Sequence, residues 1–391
     1  MLFFFVTMET AHDKRISNCR FFCILIAMEK LKYFFLLIIL FVQVEANGQR
    51  QTENVILITL DGFRWQEVFT GADQLLVGNK EFVNDSARMM SRFWRATPEA
   101  RRETLLPFFW NTLAAEGQIY GNRNYDNKVD VTNQMWFSYP GYNEILTGAA
   151  DDARITSNDK VDNPNVTVLE ILNRDPRYAG KVAVFSSWDV FDNIINSKRS
   201  GIPVSAGLMK QTRNPNETEK LINELMFQIP NPLGDIRLDA FTYYYAFEYL
   251  KREKPRMLYI AFDETDDFAH QGKYDLYLEA AHYTDAMIEK LWKWLQSDAQ
   301  YKDKTTLIIT SDHGRGHSDM NSWRNHGIKV PGADQIWLVV MGPDTPALGE
   351  VRKEGQLYQN QVAATVAYLL NINLDGSRKT GTMIKSAVDI K

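Results

Sequence analysis

Val55-Ile-Leu-Ile-Thr-Leu60, followed at once by Asp61-Gly62, is the stretch that decides the fold. It is short, nearly continuous in apolar residues, rich in β-branched side chains, and stopped by a turn pair. A strand of that kind is buried on both faces, and such strands build parallel sheets. Four more stretches read the same way: Lys181–Phe185, Arg256–Phe262, Thr305–Thr310 and Gln335–Met341. Helical periodicity lies between them, over 104–116, 164–174, 237–252, 275–297 and 358–370. In 275–297 the apolar residues Leu278, Ala281, Met287, Ile288, Leu291 and Leu295 fall at helical spacing with charges between them. The predicted class is α/β: a doubly wound, mostly parallel sheet with helices on both faces. No internal repeat is present. Residues 72–104 read as an insertion after the first strand, and the Pro- and Asn-rich 203–236 as an excursion from the sheet.

The chain has 391 residues, 45% of them hydrophobic and 24% charged, with a formal net charge of -5. That composition excludes a disordered chain, and the absence of a long Lys/Arg block excludes a basic nucleic-acid-binding tail. Met28-Glu-Lys-Leu-Lys32 is a basic start, Tyr33–Val44 an apolar run, and Val44-Glu45-Ala46 a small-residue cleavage signature. Residues 28–46 therefore read as a secretory signal peptide cut after Ala46, with 1–27 as an upstream extension. The apolar run is short beside the roughly 20 residues of a membrane helix, and an uncleaved anchor is the alternative reading. The expected product is one domain over 47–391, periplasmic or secreted, with no stable membrane anchor after cleavage. Both cysteines, Cys19 and Cys23, leave with the leader. The sequons at Asn84, Asn165 and Asn216 matter only in a eukaryotic secretory pathway.

The chemistry is carried by the strand ends. Asp61, Asp263 with Asp266 just beyond, and Asp312 each close an apolar strand, and open α/β sheets bind ligands outside the carboxyl ends of their strands. One such Asp is an ordinary turn residue or helix cap; three on one edge, two of them followed by histidine, are not. Five of the six histidines fall between 270 and 326: His270, His282, His313, His317 and His326. Imidazole with carboxylate suits Zn, Mn or Fe, and several carboxylates allow two divalent ions about 4 Å apart.

In order along the chain, Asp61-Gly62-Phe63-Arg64, the hydroxyl residue of Ser138-Tyr-Pro140-Gly-Tyr-Asn-Glu-Ile-Leu-Thr147-Gly148, Asp266-x-x-x-His270, Asp312-His313-Gly314 and His326-Gly327 resemble the motifs of the alkaline phosphatase superfamily. Within it they are most similar to the nucleotide pyrophosphatase/type I phosphodiesterase-like branch. The resemblance implies that Asp61, Asp312 and His313 bind one cation, and Asp266, His270 and His326 a second, with zinc expected and manganese the other choice. It implies that Ser138 is the nucleophile and a cation ligand, and that Asn158 holds a phosphoryl oxygen. Three departures stand out. The diesterase branch carries Thr where Ser138 stands, its Glu-Pro-Asp is Glu264-Thr265-Asp266 here, and Ala269 replaces the Gly before the ligand histidine.

The residues themselves agree about Ser138. A serine hydroxyl is a poor nucleophile at neutral pH and gains reactivity beside a divalent ion. Pro140 suits a first helical turn, which would place Ser138 at a helix N-terminus, where N–H groups favour an anion. The competing reading is a plain N-cap. Arg315 is a candidate contact for an anionic substrate, with a solvent-exposed position as its alternative. His317 reads as facing substrate or backing the ligands, His282 as a solvated helix position, and Asp263 competes with Asp266 for the ligand role. The aromatic run Phe241–Tyr249 reads as core rather than a base-stacking platform. The expected activity is hydrolysis of a small phosphomonoester or phosphodiester through a phosphoseryl-type intermediate. A sulfatase is the alternative enzyme, although Tyr142 stands where the formylglycine motif requires Arg. A non-catalytic, metal-stabilised binding protein is the alternative without chemistry.

Overall fold

Three neighbouring strands with their carboxyl ends level form the middle of the protein. They belong to a computed structural model that describes residues 50–374, 376 and 379–388. The leader expected over 28–46 and the extension 1–27 lie outside the described residues. Among the described residues the strands are β1 (Asn54–Leu60), β2 (Gln118–Tyr120), β3 (Asn127–Asp130), β4 (Val182–Ser186), β5 (Val204–Ala206), β6 (Met257–Phe262), β7 (Thr305–Thr310), β8 (Gln335–Ile336), β9 (Leu338–Met341), β10 (Gly349–Glu350) and β11 (Gly355–Tyr358). Eight form one sheet in the order β10-β2-β9-β7-β1-β6-β4-β5, and β11-β3-β8 form a small second one. No helix among the described residues is long and apolar enough to cross a membrane.

Every residue of β1 is buried. Its side chains alternate between two cores: Ile56, Ile58 and Leu60 pack into one, Val55 and Leu57 into the other. This two-sided burial is what the continuous apolar stretch requires. Helices Asp239–Glu253 and Tyr274–Leu295 cover the first face, and helices Ser138–Thr147, Val168–Arg174 and Gln361–Leu369 cover the second. The long helix buries Leu278, Ala281, Ile288, Leu291 and Leu295 of its predicted apolar stripe, and Met287 packs half-buried against the same core.

Four expectations are corrected. The stretch 335–341 is two strands, not one: β8 joins the small sheet and β9 the large one. The break is at Trp337, whose buried indole donates to the carbonyl of Phe63 at 2.8 Å while its own carbonyl accepts from Thr310 Oγ1 at 2.6 Å. β9 also runs antiparallel to β7, a direction that an evenly apolar strand does not encode. The helix expected over 104–116 is broken, because Pro107 ends Pro98–Leu105 and a π-turn over Phe109–Leu113 follows. The segment 203–236 is only partly an excursion, since Val204–Ala206 is the edge strand β5, and Glu217–Gln228 is helical. Residues 72–104 carry the helices Gln74–Gly78 and Ser86–Phe93 and most of Pro98–Leu105, and with the turn between the first two they send Val77, Phe82, Met89 and Phe93 into the first core. Among the sequons, Asn165 is buried and Asn216 caps the helix Glu217–Gln228.

The helix Ser138–Thr147 is buried along its whole length, and Gly141 is the reason it can lie so close to the end of β7. A Cβ there would sit 2.3 Å from the carbonyl oxygen of Asp312. Gly141→Ala is therefore expected to lower stability by about 1–3 kcal/mol, the usual cost of overpacking. Urea unfolding of the two proteins measures it, and an alanine variant as stable as the parent would show that this contact does not set the helix position.

Candidate metal centre and nucleophile

The register makes the site. Leu60 lies opposite Phe262, and Thr59 opposite Thr310, so the residues that follow β1, β6 and β7 emerge side by side. Asp61 follows β1 directly, and Asp312 and His313 follow β7 after Ser311. Beyond β6 the chain turns into the helix Glu264–His270, which presents Asp266 and His270 one turn apart. His326 arrives from the loop after the short helical turn Ser322–Arg324.

These side chains converge. His313 Nε2 lies 3.2 Å from Asp61 Oδ1, 3.5 Å from Asp312 Oδ2 and 3.7 Å from Asp266 Oδ1. His326 Nε2 is 3.7 Å from Asp266 Oδ1, and His270 Nε2 is 2.9 Å from His326 Nε2 and 3.1 Å from Asp266 Oδ2. Two groups have ligand atoms within 4.8 Å of one another: Asp61, Asp312 and His313, and Asp266, His313 and His326. His270 adjoins the second group from the more exposed side. Asp61 Oδ1 and Asp312 Oδ2 are buried with no hydrogen-bond partner among the described residues. Buried, unpartnered carboxylate oxygens beside an imidazole are costly unless a cation takes them, and this N,O set suits a divalent transition ion. The donor set fits a divalent cation, and in the second group His313 stands where the motifs imply His270.

The electrostatics point the same way. Burial, and then the neighbouring Asp266, push the Asp61 carboxyl well above the usual carboxylate range. Burial, and then Asp61, do the same to Asp312. Each would ionise readily only with positive charge nearby. Burial would raise Asp266 too, but the Arg315 guanidinium and then His270 outweigh it and hold Asp266 well below that range. His326 is pushed down to about 2, first by burial and then by His313. It is therefore the neutral imidazole that ligation requires. Its Nδ1 lies 3.3 Å from the carbonyl of Trp136, which leaves Nε2 to face the cluster.

Ser138 is the first residue of its helix. The N-cap is Phe137, in extended conformation and with no side-chain cap, so the plain capping role considered for Ser138 is not what the structure shows. Its Oγ lies 3.4 Å from His313 Nε2. Asn158 accepts a hydrogen bond from the Tyr139 N–H at 2.9 Å, which fixes its amide next to the Ser138 end of the helix. The turn before the helix is held from behind. Glu144, buried on the same helix, accepts from Thr132 N–H, Thr132 Oγ1, Asn133 N–H and Asn133 Nδ2. Asn133 Oδ1 in turn accepts from the N–H groups of Met135 and Trp136 at 3.2 and 2.9 Å. Trp136 has φ 54°, a left-handed conformation that a bulky side chain seldom adopts. The motifs did not single out Glu144, Trp136 or Tyr142, whose hydroxyl donates to Asp61 Oδ2 at 2.7 Å. Glu144, the one charged residue of Ser138–Thr147, was the available signal.

Other expectations meet mixed outcomes. Arg315, expected at the substrate, is buried and pairs with Asp266. His317 packs against Gly332 and joins neither ligand group. His282 is not a solvated position: it is half-buried, with Nδ1 2.8 Å from the Leu105 carbonyl. Asp263 is buried beside the cluster, with its carboxyl pushed up by burial and then by Asp61, but Asp266 is the one that joins a ligand group. In the aromatic run Tyr243, Tyr245 and Phe247 are core residues.

The family model described as Sulfatase matches residues 169–372, a span that holds Asp266, His270, Asp312, His313 and His326 but stops short of Asp61 and Ser138. No curated protein matches the sequence. Among solved structures, wild-type alkaline phosphatase PafA aligns with 88% of this chain and 100% of its own at TM-score 0.55 and 11% identity. Murine ectonucleotide pyrophosphatase/phosphodiesterase 5 aligns with 84% of this chain and 97% of its own at TM-score 0.52 and 14% identity. The lipoteichoic acid synthase LtaP from Listeria monocytogenes aligns with 86% of this chain and 75% of its own at TM-score 0.51 and 16% identity. At these identities the likeness is one of fold.

The clamp behind Ser138 makes a prediction. Glu144→Gln exchanges an acceptor oxygen for an amide that faces N–H donors, and hydrogen bonds to a charged group contribute about 1.5–3 kcal/mol each. A loss of roughly that size is expected in chemical unfolding, with a fall in turnover as the turn at Trp136 loosens. Parental stability in the variant would remove the clamp from the account.

Proposed function

The chain belongs to the sulfatase family, within the alkaline phosphatase superfamily of ester hydrolases, and on that premise we propose that it hydrolyses a small phosphoric ester by way of Ser138. The observation that supports this most is a hydroxyl left free of capping at the start of a buried helix, facing His313 and, through it, Asp61. Bound divalent cations supply Lewis-acid charge at such a centre, for the attacking oxygen and for the leaving one. Asp61, Asp312 and His313 would hold the one beside Ser138, and Asp266, His270 and His326 the other. Zinc suits these donors, with manganese second.

The chain's own groups then do the following. Ser138 Oγ gives up its proton to solvent and attacks phosphorus in line, forming the serine ester while the bond to the leaving oxygen breaks and that oxygen takes a proton; water then attacks the same phosphorus, the bond to Oγ breaks, and the serine regains its proton. Asn158, fixed through the Tyr139 N–H, presents its amide to a phosphoryl oxygen. The N–H groups of the first helical turn add a positive field at the same place. The charge nearby favours a monoanionic diester over a dianionic monoester. Arg315 is buried against Asp266, and Lys160, two residues beyond Asn158, pairs with Asp189. The Arg315 guanidinium is therefore not free to meet a second substrate charge.

Sulfate ester hydrolysis is the second reading, carried by the family model. Tyr142, in place of the arginine of the formylglycine motif, is committed to Asp61 instead, so an unmodified serine is the group at hand. The expected site of action is periplasmic or extracellular, as the leader implies.

Two experiments test the reading. Ser138→Ala should keep the fold and cut turnover of an aryl phosphodiester by several orders of magnitude; removing a serine nucleophile costs on the order of 10⁶ in kcat in a well-studied hydrolase. Turnover within about tenfold of the parent would rule out Ser138 as nucleophile. Separately, chelation followed by zinc or manganese should abolish and restore the activity. In the restored enzyme an aryl phosphodiester should have a higher kcat/KM than the phosphomonoester and the sulfate ester. A sulfate ester as the best substrate would favour the second reading.

A further inference from the structure

Arg315 is 1% exposed and lies three residues beyond Asp312. Its guanidinium does not point out of the site. Nη2 donates to Asp266 Oδ1 and, at 3.1 Å, to the Asp266 carbonyl, while Nη1 donates to the Arg324 carbonyl at 2.8 Å. To get there it passes over Gly62, at the end of β1. A Cβ on Gly62 would lie 2.8 Å from Arg315 Nε and 2.7 Å from Asp266 Oδ1. Gly62 has φ +56°, where the missing side chain both relieves the backbone and leaves the space. The guanidinium thus spans three adjacent strand ends, from β7 across β1 to the helix after β6.

From this geometry we infer that Arg315 is the positioning residue for the second cation site: it orients Asp266 toward His270 and His326 and does not touch substrate. A planar fork bonded to a side-chain oxygen and two carbonyls allows the carboxylate one rotation. That rotation leaves Asp266 Oδ2 3.1 Å from His270 Nε2. Asp61, Asp312 and the ring of His313 are oriented by other groups. The Gly62 N–H donates to Asp312 Oδ1, Tyr142 to Asp61, and His313 Nδ1 faces the Gly314 carbonyl. Loss of the guanidinium should therefore affect one site and spare the other.

The inference rests on the two-cation reading, and the test separates them. The probe is zinc on the full-length protein, with affinities from competition against a chromogenic chelator. Cobalt spectra identify the sites, because one has two imidazoles, His270 and His326, and the other only His313. Arg315→Met should weaken the two-histidine site by about 10- to 100-fold, the usual effect of losing a partner of a ligand, and leave the Asp61 site within about threefold. Arg315→Lys keeps the charge without the fork, so its loss should be selective and smaller. It also decides the matter if the methionine variant does not fold. Two parental affinities in the lysine variant, or equal weakening of both sites in either variant, would overturn the positioning role. Parental protein that binds no divalent ion would overturn the two-cation reading, and this inference with it.

Discussion

Three carboxylates, Asp61, Asp266 and Asp312, are forced together by the ends of three parallel strands, and one imidazole, His313, lies within 3.7 Å of all of them. Like charges taken out of water repel strongly. A single imidazole cannot offset three carboxylates, and Arg315 answers for Asp266. The rest of the molecule is arranged around what is left over. Tyr142 and the Gly62 N–H each take one oxygen of a carboxylate and leave its twin bare. Those bare oxygens face the same side as the Ser138 hydroxyl. A site that is electrostatically incomplete without cations also has the Ser138 hydroxyl set beside it.

The same loop serves both halves of this arrangement. Trp136 offers its carbonyl to His326, and two residues later the chain becomes the helix that carries Ser138. Glu144 reaches back along that helix to hold the loop. The orientations of His326 and of Ser138 therefore share one set of backbone hydrogen bonds, and a change in one is felt by the other.

Much of this was legible from residues alone, for physical reasons. The strands β1, β6 and β7 were readable because burial on both faces demands unbroken apolar stretches. The acidic residues at their ends were readable because a parallel sheet puts all such ends on one edge. His270 was tied to Asp266 by helical spacing. Direction was not legible: β9 looks like its neighbours, since an antiparallel strand buried on both faces has the same composition. Nor was the split at Trp337, which depends on a hydrogen bond to Phe63 that is 274 residues away in sequence. The pairing of Arg315 with Asp266 was not legible, because the two lie 49 residues apart in the chain. The leader expected over 28–46 lies outside the described residues.

The left-handed backbone at Trp136 has a consequence for how this protein can vary. A residue held at φ 54° has a conformational cost of order 1 kcal/mol or more that glycine would avoid and asparagine would reduce. A tryptophan there packs its indole against the second core, so side-chain burial and backbone strain pull the choice of residue in opposite directions. Drift at this position should run toward glycine or asparagine only in sequences that refill the vacated volume from a neighbouring side chain. Residue 136 and its packing neighbours should then change together through evolutionary time, as a coupled set rather than as independent sites.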